Sequence, residues 1–133
     1  MTIRSETENP PTFRQVVTID AHTLHADVGE ALGGAGSAPG PHEYFDAALA
    51  TCKALTACVY ARGHGIALER VLVDVERDAS QERKGIYVLT VQLRFEGALT
   101  EAENLKLHDV VSRCPIHKLM TTSTVEIRQL PPG

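Results

Sequence analysis

The sequence predicts an α+β protein, with antiparallel strands packed around one long central helix. Three observations predict it. Residues 43–62 are rich in alanine and leucine and carry few charges. Residues 71–77 and 86–96 alternate apolar and polar side chains on either side of a polar connection. Two shorter β-rich runs precede the long helix, and further helical signals follow the second strand pair. Strands in antiparallel groups with helices segregated between them define the α+β class.

Residues 1–12 are polar and include Pro10 and Pro11, so they read as a flexible N-terminal arm ahead of a single domain at 13–133. Residues 13–19 and 24–28 read as a hairpin turning through "DAHT". Residues 33–41, "GGAGSAPGP", form the strongest breaker cluster in the chain. That cluster lacks the G-K-[ST] ending of a phosphate loop, and no G-x-G-x-x-G is present. It reads as a loop feeding the helix at 43–62, which Gly63 and Gly65 close. Asp46 and Lys53 are the only charges between Glu43 and Arg62. A helix this apolar around its circumference is expected to be central, covered by a sheet or another subunit.

The strands at 71–77 and 86–96 are joined by the polar segment 78–85 and should pair antiparallel. Thr100 with Glu103 forms a capping box at the start of a helix running to about Arg113. A shorter helix is expected from Cys114–Pro115, because proline suits the first helical position. Residues 124–129, "TVEIRQ", read as a last strand.

Composition excludes several classes of function. The net charge is −4 without a block of like charges, so a nucleic-acid role has no basic face to rest on. There is no tryptophan to build a stacking platform. No apolar run is long enough to span a bilayer, and the N-terminus lacks the apolar core of a secretory signal. The expected location is the cytoplasm, where three cysteines are free thiols, metal ligands or redox residues rather than a disulfide scaffold.

The chemistry centres on "SRCPIHK", residues 112–118. Cys114 can be read as buried filler, metal ligand or working thiol. At a helix start it faces the positive end of the dipole, which favours the thiolate. Cys114 and His117 have C-x-x-H spacing, but no second pair of ligands completes a zinc site. No G-x-S-x-G is present for serine-hydrolase chemistry. Cys52 and Cys58 lie six apart on one helix, about 120° apart around its axis. Cys52 shares a face with Ala48, Leu49, Leu55 and Thr56, whereas Cys58 between Ala57 and Val59 reads as core filler. Thiol redox chemistry needs two cysteines: one becomes a sulfenic acid and the other resolves it. Cys52 and Cys114 are far apart in sequence, so only the fold can bring them together.

The Gly/Pro loop with "P-H-E", the alanine-rich helix bearing Cys52 and the later "CPIHK" together resemble the OsmC/Ohr family of osmotically induced and organic-hydroperoxide-resistance proteins. The resemblance runs from about Phe13 to Gln129 and looks closest to the OsmC-like branch. It implies an intertwined homodimer with active sites at its interface. It also implies a thiol-dependent peroxidase active in oxidative-stress defence, with Cys52 peroxidatic and Cys114 resolving. The substrate would be a small organic hydroperoxide or related peroxide, and an external dithiol would reduce the resulting disulfide. No metal, flavin or other cofactor is implied.

The best-understood branches place a glutamate ten residues before the helix cysteine and an arginine near the first hairpin turn. Here His42 stands at the first position and His22 in the turn. His42, Glu43 and Arg14 are therefore the candidate partners of Cys52. These departures also motivate an alternative: a redox-sensing or small-molecule-binding protein with little turnover on the same fold.

Overall fold

A computed structural model describes all residues, Met1–Gly133. The chain forms two compact units, Met1–Phe45 and Asp46–Gly133. The α+β class is as expected: two antiparallel sheets and three α-helices.

The first unit holds a three-stranded antiparallel sheet in the order β1-β2-β3, with β1 at Ile3–Thr7, β2 at Gln15–Ile19 and β3 at His22–Ala26. The expected hairpin is present, with its second strand starting two residues early. Within the N-terminal arm, Ile3–Thr7 forms β1. Every residue of β1 is exposed. Its order comes from backbone pairing along β2, from Ile3 opposite Ile19 to Thr7 opposite Gln15, which leaves no apolar alternation to read in "IRSET".

The Gly/Pro loop is organised by a carboxylate. Asp27 is buried, with 5% of its surface exposed. It accepts hydrogen bonds from the amides of Val28 (2.8 Å), Ala35 (3.3 Å) and Ser37 (3.1 Å) and from the Ser37 hydroxyl (2.6 Å). The amides that a phosphate loop would give to an anion are thus already given to an internal one. These bonds, led by the Ser37 hydroxyl, lower the Asp27 pKa from 3.8 to about 2. Arg14 adds a second tie, donating to the Ser37 carbonyl (3.2 Å) and hydroxyl (3.0 Å) while pairing with Glu8 at 2.8 Å.

Helix α1, Pro41–Gly63, starts in the first unit and continues through the second. In the second unit β4, Leu68–Asp78, pairs with β5, Val88–Gly97. Val71, Val73 and Val75 lie opposite Phe95, Leu93 and Val91, so the apolar sides of both strands coincide. Gly97 is required: its φ is +146°, and a Cβ there would run into the Ala67 carbonyl oxygen. Helix α2, Glu101–Val111, opens with the expected capping box of Thr100 and Glu103, a cap worth ~1 kcal/mol. Helix α3, Pro115–Thr121, follows Cys114 as its N-cap.

The core lies where α1, β5 and α2 meet. Ala57, Ala61, Phe95, Leu107 and Val111 form it, with Tyr60, Ile66, Leu68 and Leu93 packed around them. The two alanines are buried in this cluster, and Leu107 at 0% exposure supplies ~1.5–3 kcal/mol of apolar burial. Asp46 ties the first turn of this unit's helix to the hairpin, accepting from Arg77 Nε and the Tyr87 hydroxyl, each at 2.7 Å. Burial first, and the bond to Asp46 second, push the Tyr87 pKa up to about 12.

Two further expectations are corrected. Residues 124–129 form no strand. Val125, Ile127 and Leu130 are exposed at 65%, 87% and 84%, and β4 and β5 pair only with each other. A β-branched segment without a neighbouring strand has nothing to complete its hydrogen bonds. Cys58, expected in the core, is exposed, because Ala57 rather than Cys58 points into the α1–α2 contact.

The Asp27 pKa gives a pH dependence with a defined sign. A carboxylate with a lowered folded-state pKa stabilises above its unfolded value, and that support is lost as pH falls through the folded value. The Ala35 and Ser37 amides should therefore stay protected from hydrogen exchange at pH 4. Their protection should fade as pH drops toward 2, and Asp27→Asn should weaken it at every pH, as NMR-detected exchange can measure.

Candidate functional site

The site is built where the middle of α1 meets the junction of α2 and α3. Cys52 faces out from α1 and is half-buried, whereas Cys114, between the two later helices, is fully buried at 0% exposure. The fold makes the two thiols neighbours, and each bears on the other's electrostatics. Both remain free thiols.

Beside them lies a charged group that the sequence reading did not single out. Lys53 is 4% exposed. Its ammonium donates to the Val111 carbonyl at 2.8 Å and meets His117 Nδ1 at 3.3 Å. An ammonium has donors only, so Nδ1 is the acceptor and His117 carries its proton on Nε2. Val111 is the last residue of α2, so the cation also sits at the negative end of that helix dipole. The available signal was the isolation of Lys53 within the apolar run after Asp46, since a charge there must be paired or become exposed.

The Cys114 thiol behaves contrary to expectation. A helix start was expected to lower its pKa, but burial raises it above the usual 9.0. The neighbouring Cys52 thiol pushes the same way, while the His117 amide N–H and the Lys53 charge pull toward the thiolate. The sulfur makes no regular capping hydrogen bond, and a helix of seven residues has too few aligned peptides to outweigh desolvation.

Along α1 next to Cys52 runs an open groove of about 780 Å³. Ala48, Cys52, Leu55, Val59, Tyr60 and Ile116 are among its lining residues. Leu55 and Val59 are 63% and 73% exposed, so α1 is apolar on this side as well as on its core side. No group of three or more His, Cys, Asp or Glu side chains is placed to hold a metal ion. No helix is long and apolar enough to cross a membrane.

The remaining candidates belong to the first unit. Arg14 is engaged by Glu8 and Ser37 in the loop tie described above. His42 and Glu43 occupy the exposed first turn of α1. His22 opens β3 and is exposed.

With this geometry in hand, comparison with known proteins gives a family. The family described as OsmC-like protein matches residues 34–128, and the chain belongs to it. A search of curated protein sequences gives no significant match. Among solved structures, an OsmC-like protein from Mycoplasma pneumoniae superposes with a TM-score of 0.71 at 20% identity, covering 91% of this chain and 86% of that one. The organic hydroperoxide resistance protein OsmC from Legionella pneumophila gives a TM-score of 0.61 at 24% identity, covering 92% and 90%. The organic hydroperoxide resistance protein OhrB of Bacillus subtilis gives 0.59 at 16% identity, covering 92% of both chains. At these identities the likeness defines a shared fold.

The environments of the three cysteines imply an order of reactivity. Cys58 is exposed, Cys52 half-buried, and Cys114 buried with a raised pKa. Under limiting iodoacetamide at pH 7.5, peptide mapping of the reduced, folded protein should find Cys58 labelled first and Cys114 last.

Proposed function

We propose that this protein is a thiol-dependent peroxidase that reduces organic hydroperoxides in oxidative-stress defence. The observation that supports the reading is that Cys52 neighbours Cys114 in the fold and influences its thiol. Cys52, the more accessible of the two, attacks the peroxide O–O bond. Its sulfur gains the terminal oxygen as a sulfenic acid, and the alcohol leaves. Cys114 then attacks that sulfur: an S–S bond forms, the S–O bond breaks, and water departs. An external dithiol returns both cysteines to thiols. The apolar groove beside Cys52 suits a peroxide with a hydrocarbon body.

Several features belong to the same proposal. Leu55 and Val59, exposed on α1, support a homodimer in which a second copy covers this face. The cytoplasm is the proposed location, because a reducing compartment keeps the thiols ready. His42, Glu43 and Arg14 are proposed as partners that a dimer would complete. The chemistry uses no metal or organic cofactor and requires neither nucleic acid nor membrane.

A second reading, redox sensing or small-molecule binding with little turnover, is favoured by one observation. Burial raises the Cys114 pKa, which reduces the thiolate available for resolution.

One equivalent of cumene hydroperoxide should lower the intact mass under non-reducing conditions by two hydrogens. Peptide mapping should place the new disulfide between Cys52 and Cys114, and Cys52→Ser should abolish peroxide consumption. Thiols that stay reduced would exclude the peroxidase. Turnover with a dithiol donor at roughly 1 per second or faster would exclude the sensor.

A further inference from the structure

The buried cation of the site has no part in the proposed cycle as written above, yet its placement is specific. Lys53 enters from α1, one residue after Cys52. The Val111 carbonyl and His117 Nδ1 take two of its three N–H groups. A buried ammonium is costly unless its donors are used. These two partners flank Cys114 in sequence, so they hold the ammonium in the neighbourhood of the thiol that becomes an anion during thiol exchange.

We propose that Lys53, held by the Val111 carbonyl and by His117, is the fixed positive charge that stabilises the Cys114 thiolate whenever the Cys52–Cys114 disulfide is made or opened. This rests on the peroxidase reading. In the forward step the Cys114 thiolate attacks the Cys52 sulfenic sulfur. The S–S bond forms, the S–O bond breaks, and the departing hydroxide combines with the proton Cys114 has lost to give water. In the return step a thiolate of the external dithiol attacks Cys52. The S–S bond breaks, Cys114 leaves as a thiolate, and the second thiol of the donor then releases Cys52. Cys114 is anionic in both steps, and a leaving thiolate departs faster when its charge is stabilised.

Lys53 acts through Cys114 and is a positioning residue. His117 has a different part: by accepting on Nδ1 it aims the ammonium. The groups that bear on the Cys114 charge are Cys52 and Lys53 from α1 and the backbone N–H of His117 from α3. From α2 the contribution is the Val111 carbonyl, which holds the cation. Fixed within the fold, this charge opposes, without outweighing, the desolvation that raises the Cys114 pKa.

The test titrates Cys114 by the ultraviolet absorbance of its thiolate, in a Cys52→Ser, Cys58→Ser background where it is the sole thiol. Lys53→Met keeps the length and removes the charge. It should raise the titration midpoint by about one pH unit, a roughly tenfold loss of thiolate at a given pH below it, while Lys53→Arg should retain most of the effect. An unmoved midpoint in Lys53→Met overturns the proposal. The unsubstituted protein gives an independent check, since long-range proton–nitrogen NMR should find His117 protonated on Nε2 at neutral pH. A ring protonated on Nδ1 overturns the arrangement even if the substituted chains do not fold. Neither measurement uses peroxide. A Lys53-dependent midpoint in a protein that forms no sulfenic acid at Cys52 would support the electrostatic role and count against the peroxidase alone.

Discussion

The contact between the Lys53 ammonium and the Val111 carbonyl, 2.8 Å long and out of reach of water, constrains the whole C-terminal unit. A charge placed in the interior must be paired, because an unpaired one costs several kcal/mol, on the order of 3–5 when a partner is lost. The bond joins the middle of α1 to the last turn of α2, and the contact with His117 carries the connection on to α3. Once these three elements are tied, little freedom remains for the residues beside the tie. Cys52 is the preceding residue on α1, and Cys114 sits between Val111 and His117. Their proximity follows from satisfying a charge.

This arrangement bears on the carboxylate and arginine that the resemblance implies and that the sequence lacks at the expected places. An acid at position 42 would act near the start of α1, at the positive end of its dipole. Lys53 lies well inside the helix, near Cys114. In the proposed cycle the two devices would serve different steps: one would prepare a nucleophile for peroxide, the other would ease exchange between sulfurs. Arg14, meanwhile, has a structural occupation in the loop held by Asp27 and Ser37.

Much of the fold was legible because its signals were local. The capping box at Thr100, the valine alternation in β4 and the proline after Cys114 each express their structure within a few residues. What escaped depended on contacts distant in sequence. Strand β1 is ordered by backbone pairing and by bonds of Ser5 and Thr7 to the distant Gln15, none of which leaves an apolar pattern. Cys58 was misplaced because a shift of one residue on a helix turns a side chain by about 100°, and sequence alone does not fix which of two neighbours faces inward. At the site, the two cysteines could be named but their meeting could not be derived. The raised Cys114 pKa was read with the wrong sign, because burial is a property of the folded chain. Lys53 was visible as an isolated charge, but its partner is a main-chain carbonyl, which leaves no mark in a sequence.

The segment after α3 has a physical consequence of another kind. Val125 and Ile127 alternate with Glu126 and Arg128, which pair with each other at 3.0 Å, and Pro131 and Pro132 close the run. Such a ribbon is adhesive toward any free strand edge, and its charges and prolines are the usual means of restraining that adhesion. This stretch is therefore one of the exposed apolar segments that bear on the protein's solubility. Salt screens the charges and leaves the apolar side chains untouched, so ionic strength becomes a control on solubility.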